Sequence, residues 1–259
     1  MKNEGTYVTE IVYKPNLNEI LKRVARFKKD IYFKKMCDIS DFSVWFVHGD
    51  FVRRVICEDF VNYGQALHFK FIPQNEFWLD IENIPGEAQF YIEHLLVEHR
   101  AMKKGIRYEE AFKRAEIAET KERNRSIIAR ELKKFKDNKE ELIKRVHKKL
   151  IKSYSSKIDV WIVSGELVRD FFDINYGGGS HDKVDSFTPK NEVWIDDDIS
   201  QKERKFILLH ELHERRMMAT KNLSYLEAHR LATQIEDFYR KNPENIDKAL
   251  KFESESQPV

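Results

Sequence analysis

The sequence predicts an α+β protein built as a tandem duplication of an α-β-β-β-α-α unit, each unit a small antiparallel sheet packed against a helix hairpin. Three observations lead there. Long segments repeat at a nearly constant offset. Short β-branched and aromatic runs alternate with segments of helical apolar spacing. The second copy closes on two helix-length segments, each opened by a capping pattern.

The repeat is explicit. Val44-Trp-Phe-Val-His-Gly-Asp-Phe-Val-Arg53 matches Val160-Trp-Ile-Val-Ser-Gly-Glu-Leu-Val-Arg169, an offset of 116. Pro73–Asp80 matches Pro189–Asp196 and Phe90–Met102 matches Phe206–Met218 at the same offset. Asn62-Tyr-Gly-Gln-Ala-Leu-His68 matches Asn175-Tyr-Gly-Gly-Gly-Ser-His181 at 113, which pairs His68 with His181 and gives the second copy three extra residues after its histidine. The expected organisation is a first unit over 1–120, a charged helical linker over 121–138, a second unit over 139–240 and a C-terminal segment over 241–259.

Taken in order, residues 17–35 and 139–154 have helical apolar spacing. Val44–Val47 with Phe51–Ile56, and Val160–Val163 with Leu167–Phe172, read as hairpins across His-Gly-Asp and Ser-Gly-Glu turns. A third strand covers about 75–80 and 191–196. Pro85 suits a first helical turn and Gly105 a helix C-terminus. The stretch 107–157 lacks glycine and proline and is dense in charge, which predicts solvated helix broken near Asp137-Asn138. Ser200-x-x-Glu203 opens a helix over 201–220; Lys221-Asn222-Leu223 turns the chain; Ser224-x-x-Glu227 opens the last helix, to about 240. Trp45, Trp78, Trp161 and Trp194 recur at matching strand positions and are read as core. The tail Glu253–Val259 reads as disordered.

Composition narrows the function classes. The chain has 259 residues, with 46 Lys and Arg against 44 Asp and Glu. A net charge of +2 argues against an obligate nucleic-acid binder, leaving the lysines of 132–157 as the one stretch suited to that role. Two cysteines, Cys37 and Cys57, form neither a disulfide framework nor a thiolate cluster. No apolar run approaches a membrane span, and Met-Lys-Asn-Glu-Gly-Thr at the start lacks a signal-peptide core, so the expected setting is soluble and cytoplasmic.

The chemistry concentrates in Phe206-Ile-Leu-Leu-His-Glu-Leu-His-Glu-Arg-Arg-Met-Met218. As a helix it places His210, His213, Glu214 and Met217 within about 100° of one another. The segment is apolar on most sides, and a buried carboxylate needs a partner or a metal. A hairpin hinged near Asn222 brings His229 level with the turn holding His213 and Glu214. His210, Glu214 and His229, with His213, then form a histidine–carboxylate set suited to Zn²⁺ or another first-row divalent ion. His181, in the loop Gly177-Gly-Gly-Ser-His-Asp182, is a further candidate for the site. The acidic run Asp196-Asp-Asp198 precedes a helix start, where carboxylates favour the helix dipole without any metal.

The order His210-Glu211-Leu212-His213-Glu214 resembles the His-Glu-x-x-His helix of zinc metalloproteases over five residues, with a carboxylate in the second ligand position. That resemblance implies Glu211 as the base acting on a metal-bound water and a peptide or amide as substrate. The first copy keeps His94 and Glu98 but carries Leu95, Val97 and Phe112 where the second has Glu211, His213 and His229. The leading expectation is therefore a metal-dependent hydrolase, peptidase-like, with its only site in the second unit: His210, Glu214, His229 and His213 on the metal, and Glu211 and His181 as catalytic groups. The alternative is a non-catalytic interaction protein whose His–Glu pairs are structural, because such a pair also satisfies itself inside a core.

Overall fold

A computed structural model describes residues 16–57, 59–82, 85–135 and 138–258. The N-terminal Met-Lys-Asn-Glu-Gly-Thr, Asp137 and Val259 lie outside the described residues. The fold is mixed α+β, with two four-stranded sheets, and the chain divides into two compact units, Met1–Ser126 and Ile127–Val259.

In the first unit the elements run α1 (Leu17–Arg26), α2 (Lys28–Ile31), β1 (Tyr32–Ile39), β2 (Phe42–Val47), α3 (Gly49–Val55), β3 (Tyr63–Gln65), β4 (Glu76–Asp80), α4 (Ala88–Lys103) and α5 (Tyr108–Arg123). The second unit contains α6 (Ile127–Leu132), α7 (Lys139–Val146), β5 (His147–Leu150), β6 (Asp159–Val163), α8 (Gly165–Phe171), β7 (Gly179–His181), β8 (Glu192–Asp196), α9 (Gln201–Lys221), α10 (Tyr225–Lys241) and α11 (Ile246–Glu255). The sheets have the same strand order, β1-β2-β4-β3 and β5-β6-β8-β7. In each the central pair is parallel and the outer pairs antiparallel, so the sheets are mixed rather than antiparallel.

The expected hairpins do not form. Phe51–Ile56 and Leu167–Phe172 fall in or at the end of helices α3 and α8, which cross between parallel strands. The β-branched run suggests a strand, but its burial follows helical spacing: Val52 and Ile56, four residues apart, face the core. The same winding aims Arg53 at Asp80 and Glu82, at 2.7 and 2.8 Å, and Arg169 at Asp196 and Asp198, at 2.8 and 2.7 Å. Glycine is required at the first residue of each arginine helix. A Cβ on Gly49 would stand 1.8 Å from an Asp80 oxygen, and one on Gly165 2.1 Å from an Asp196 oxygen.

Three further expectations are corrected. Helices α1–α2 and α7 are shorter than read, because Tyr32–Ile39 and His147–Leu150 are edge strands. The charged stretch after Ile106 is not one solvated helix. Helix α5 packs on α4 through Ala111, Ala115, Glu119 and Arg123, a buried stripe of four-residue spacing that small side chains bring close. The C-terminal segment is ordered through Pro258: Glu253, Ser254 and Gln257 are buried, and the Gln257 amide donates to the Leu212 carbonyl at 2.7 Å.

Other elements follow the sequence closely. Trp78 and Trp194 are fully buried, and Trp45 and Trp161 pack beside them. Ser200 and Ser224 cap α9 and α10, and Ser224 forms the full capping box with Glu227. Asn222, in the left-handed region at φ 52°, ends α9 and starts the reversal into α10. Gly105 takes a positive φ just past α4.

Candidate metal centre

Helix α9 is the spine of the second unit: Leu208, Leu209 and Leu212 enter the core shared with β6 and β8. The opposite side of α9 meets β7 and α10, and there His181, His210, Glu211, Glu214 and His229 come together. His210 Nε2, Glu214 Oε2 and His229 Nδ1 form a triangle with sides of 2.8, 3.1 and 3.5 Å. Ligand atoms on a tetrahedral zinc with bonds of about 2.0–2.1 Å stand about 3.3 Å apart, so the three atoms have the spacing of one face of such a centre.

The triangle is poorly served by protons alone. His229 Nδ1 faces both Glu214 Oε2 and His210 Nε2, and a single proton on that nitrogen serves one of them. His210 and Glu214 are buried, whereas the His229 side chain is 46% exposed, so the triangle opens to solvent past His229.

Behind the triangle each group is held from outside. His210 Nδ1 lies 2.8 Å from Glu236 Oε2; Arg240 donates to Glu236 at 2.7 Å and to Glu203 at 2.6 Å. A carboxylate on the far nitrogen fixes the ring and leaves Nε2 aimed inward. The Lys183 backbone N–H donates to His181 Nδ1 at 3.2 Å, and His181 Nε2 meets Glu214 Oε1 at 3.0 Å. The loop that follows His181 is pinned by Arg215 on α9, fully buried, which bonds Asp182, Asn191, Gln257 and the Pro258 carbonyl.

The electrostatics follow from this packing. Burial lowers the affinity of the His210 ring for a second proton, but hydrogen bonds to Glu214 and Glu236 outweigh it and carry its pKa up to about 10. Burial pushes the Glu214 carboxyl up, yet hydrogen bonds from His181, His210 and His229 hold it well below the usual carboxylate range. Glu211 is the opposite case: burial, then the charge of Glu214, push it well above that range. It forms no hydrogen bond or ion pair among the described residues, although its carboxylate lies within 4.8 Å of ligand atoms of both His181 and Glu214. Two tyrosines flank the cluster. The Tyr176 hydroxyl is buried without a hydrogen-bond partner among the described residues, and Tyr225, whose ring lies 5.3 Å from that of His229, is raised by burial and by Glu214, Glu211 and Asp185.

Two sequence-based assignments change. His213 stands apart from the cluster: its Nδ1 bonds Glu253 of α11 at 2.9 Å, and Arg216 clamps the same carboxylate. The reason is angular, since the His213 face of α9 meets α11 rather than α10. The pairing of His181 with His68 also fails. Gln65 opposes Phe77 and His181 opposes Val193, so His181 corresponds in register to Gln65 at the common offset of 116. Asn62 and Gly178, 116 apart, both have positive φ before the edge strand. Helices α3 and α8 before the strand and strands β4 and β8 after it are also 116 apart, so the second copy has no extra residues here and the Asn-Tyr-Gly match at 113 is a displaced one. His68 instead stacks on Tyr108, ring centroids 4.0 Å apart.

Asp196, Asp197 and Asp198 lie close enough to hold a cation but are already engaged, two by Arg169 and Asp197 by Lys148 and the Gly165 N–H. Sequence reading missed Glu236, Gly179 and Gln65. The offset of 117 that aligns His229 with Phe112 also aligns Glu236 with Glu119, and that signal was available.

The first unit repeats the frame with two of the three ligand types but without the third. His94 Nδ1 bonds Glu119 at 2.8 Å, as His210 bonds Glu236, and His94 Nε2 lies 3.5 Å from Glu98, as His210 lies from Glu214. Phe112 packs on His94 with ring centroids 4.8 Å apart, where His229 packs on His210 at 4.7 Å. Tyr63 stands in the register position of Gly179, and Leu95 in that of Glu211. Comparison with family models, curated proteins and solved structures finds no match for this chain.

Proposed function

We propose that the second unit is a metal-dependent hydrolase holding one divalent ion, zinc by its donor set, and that the two units descend from a tandem duplication in which the first lost or never gained the site. The observation that carries this reading is the triangle of His210 Nε2, Glu214 Oε2 and His229 Nδ1, with sides of 2.8 to 3.5 Å, its histidine backed by Glu236 and its outer side open to solvent. Three protein ligands and an open position are the pattern of catalytic rather than structural zinc sites.

In that setting the ion would supply a water acidified toward neutral pH. His210, Glu214 and His229 bind, and Glu236 orients His210. Glu211, the one carboxylate of the cluster with no partner among the described residues, would be ionised by the charge of a bound ion and would then take the proton from the water. Tyr225, neutral beside the carboxylates, would donate to an oxygen of the substrate near His229. A peptide or amide substrate rests on the order His210-Glu211-x-x-Glu214 alone.

The second reading, a non-catalytic protein with structural His–Glu pairs, is favoured by the survival of His94, Glu98 and Glu119 in the first unit. It does not account for His229, which adds a ligating group, for Glu211, which adds the base, or for Gly179, which makes room for Glu211. Metal content of the purified chain decides between the two. About one zinc per chain, lost in H210A/H229A, supports the hydrolase and directs a screen of peptide and amide substrates. Wild-type protein that stays metal-free after zinc is added leaves the structural reading.

A further inference from the structure

His181, Glu211 and Glu214 have the composition of a second ligand set sharing Glu214 with the first, and a carboxylate offering one oxygen to each of two ions is a common bridge. The hydrogen bonds of His181 argue otherwise. A backbone N–H only donates, so the bond from Lys183 N–H makes His181 Nδ1 the acceptor. The proton of the neutral ring then sits on Nε2, and Nε2–H donates to Glu214 Oε1. A nitrogen carrying that proton has no lone pair for a metal.

The first unit gives independent support. Gln65, in the register position of His181, makes the same two bonds with an amide: the Leu67 N–H donates to Gln65 Oε1 at 2.9 Å, and Gln65 Nε2 donates to Glu98 Oε1 at 2.6 Å. Both residues receive a bond from the N–H two positions on and pass one to the same oxygen of the equivalent glutamate. A glutamine amide nitrogen cannot ligate zinc or relay a proton at neutral pH. What the two residues share toward the glutamate is donation.

We infer that His181 is a positioning residue: it holds Glu214 Oε1 by donation so that Oε2 alone joins His210 and His229, which makes the centre mononuclear and leaves His181 neither a ligand nor a proton-transfer group. The metal half of this inference rests on the reading of the triangle given above; the hydrogen-bond half does not. It also removes His181 from the catalytic role that the sequence suggests.

Two measurements on the full-length chain test it. In the metal-free wild type, long-range ¹H–¹⁵N correlation spectra should show the His181 ring protonated at Nε2; protonation at Nδ1 overturns the inference, whatever the protein does with metal. Cobalt(II) titrations of wild type, H181Q and H181A form the second. Wild type and H181Q should each bind one cobalt with the same visible band positions, while H181A should bind it about tenfold or more weakly. Two cobalt ions in wild type falling to one in H181Q, or a band shift reporting a lost nitrogen ligand in H181Q, overturns it. Wild type that binds no cobalt ends the metal reading, and the tautomer then decides the hydrogen-bond claim by itself.

Discussion

Gly179 lies flat against Glu211: a Cβ on Gly179 would come within 2.7 Å of Glu211 Cγ and 2.9 Å of its Oε1. The backbone of Gly179 is that of an ordinary strand residue, so alanine is excluded by Glu211 and not by conformation. G179A should push the Glu211 carboxylate aside while leaving His210, Glu214 and His229 in place. The expected outcome is unchanged zinc content, a stability change within about 1 kcal/mol because a flexible side chain gives way, and a fall in kcat of about a hundredfold or more as the base is displaced. Full activity in G179A would remove Glu211 from the mechanism.

In the proposed centre Glu236 would act on the ion through His210, whose Nδ1 lies 2.8 Å from its carboxylate. E236A frees that ring to rotate and removes the charge that keeps its outer nitrogen protonated. Zinc affinity, measured by competition with a chromophoric chelator, should fall about 10- to 100-fold. E236A with wild-type affinity would show that the ring is held by packing alone.

His213 serves the junction with α11, where Glu253 accepts from it and from Arg216. H213A should leave zinc stoichiometry and affinity as they are. It should lower unfolding stability by about 1–3 kcal/mol, because a buried acceptor loses one of its partners. Chemical denaturation alongside zinc titration separates the two effects, and a loss of zinc with stability intact would return His213 to the site.

In the first unit the His94 ring is fully buried, and burial lowers its affinity for a second proton; hydrogen bonds to Glu119 and Glu98 outweigh this and raise its pKa to about 9. A histidine pKa raised on folding stabilises fully below the unfolded value, about 6.5, and that contribution is lost as pH rises through about 9. Wild-type stability should therefore decline between pH 6.5 and 9 relative to H94Q, by an amount on the order of 3 kcal/mol. Denaturant midpoints for both proteins at pH 6 and 9.5 check it; parallel profiles would show that His94 stays neutral.

How far the sequence revealed this arrangement depends on the range of the forces involved. The third strands, the α9–α10 reversal at Asn222 and the convergence of His210, Glu214 and His229 rest on local spacing and helix geometry, and all are present. Phe51-Val-Arg-Arg-Val-Ile56 reads as a strand on its β-branched and aromatic residues, although the apolar pairs 51/55 and 52/56 have helical spacing; the helix goes with pairing Arg53 to Asp80, 27 residues away. Glu253 looked like part of a solvated tail because its partners, His213 and Arg216, lie 40 and 37 residues earlier. The match of His68 to His181 followed a repeated Asn-Tyr-Gly, a local turn preference, where strand register obeys the global offset. Helix α5 hid its buried Ala111–Arg123 stripe inside a run of charge, since Glu119 and Arg123 are buried through each other and through His94 and Glu87.

The shared frame of the two sheets has a use in protein engineering. Four side chains separate the first unit from the second at this position: Tyr63, Gln65, Leu95 and Phe112 stand where the second unit has Gly179, His181, Glu211 and His229. Gln65 already makes the bonds of its counterpart, and His94, Glu98 and Glu119 already hold the spacing of His210, Glu214 and Glu236. Reproducing the proposed centre in the first unit is thus a matter of exchanging three residues, Tyr63→Gly, Leu95→Glu and Phe112→His, on a backbone that is already in register, with the side-chain cluster of the second unit in the same molecule as its built-in standard.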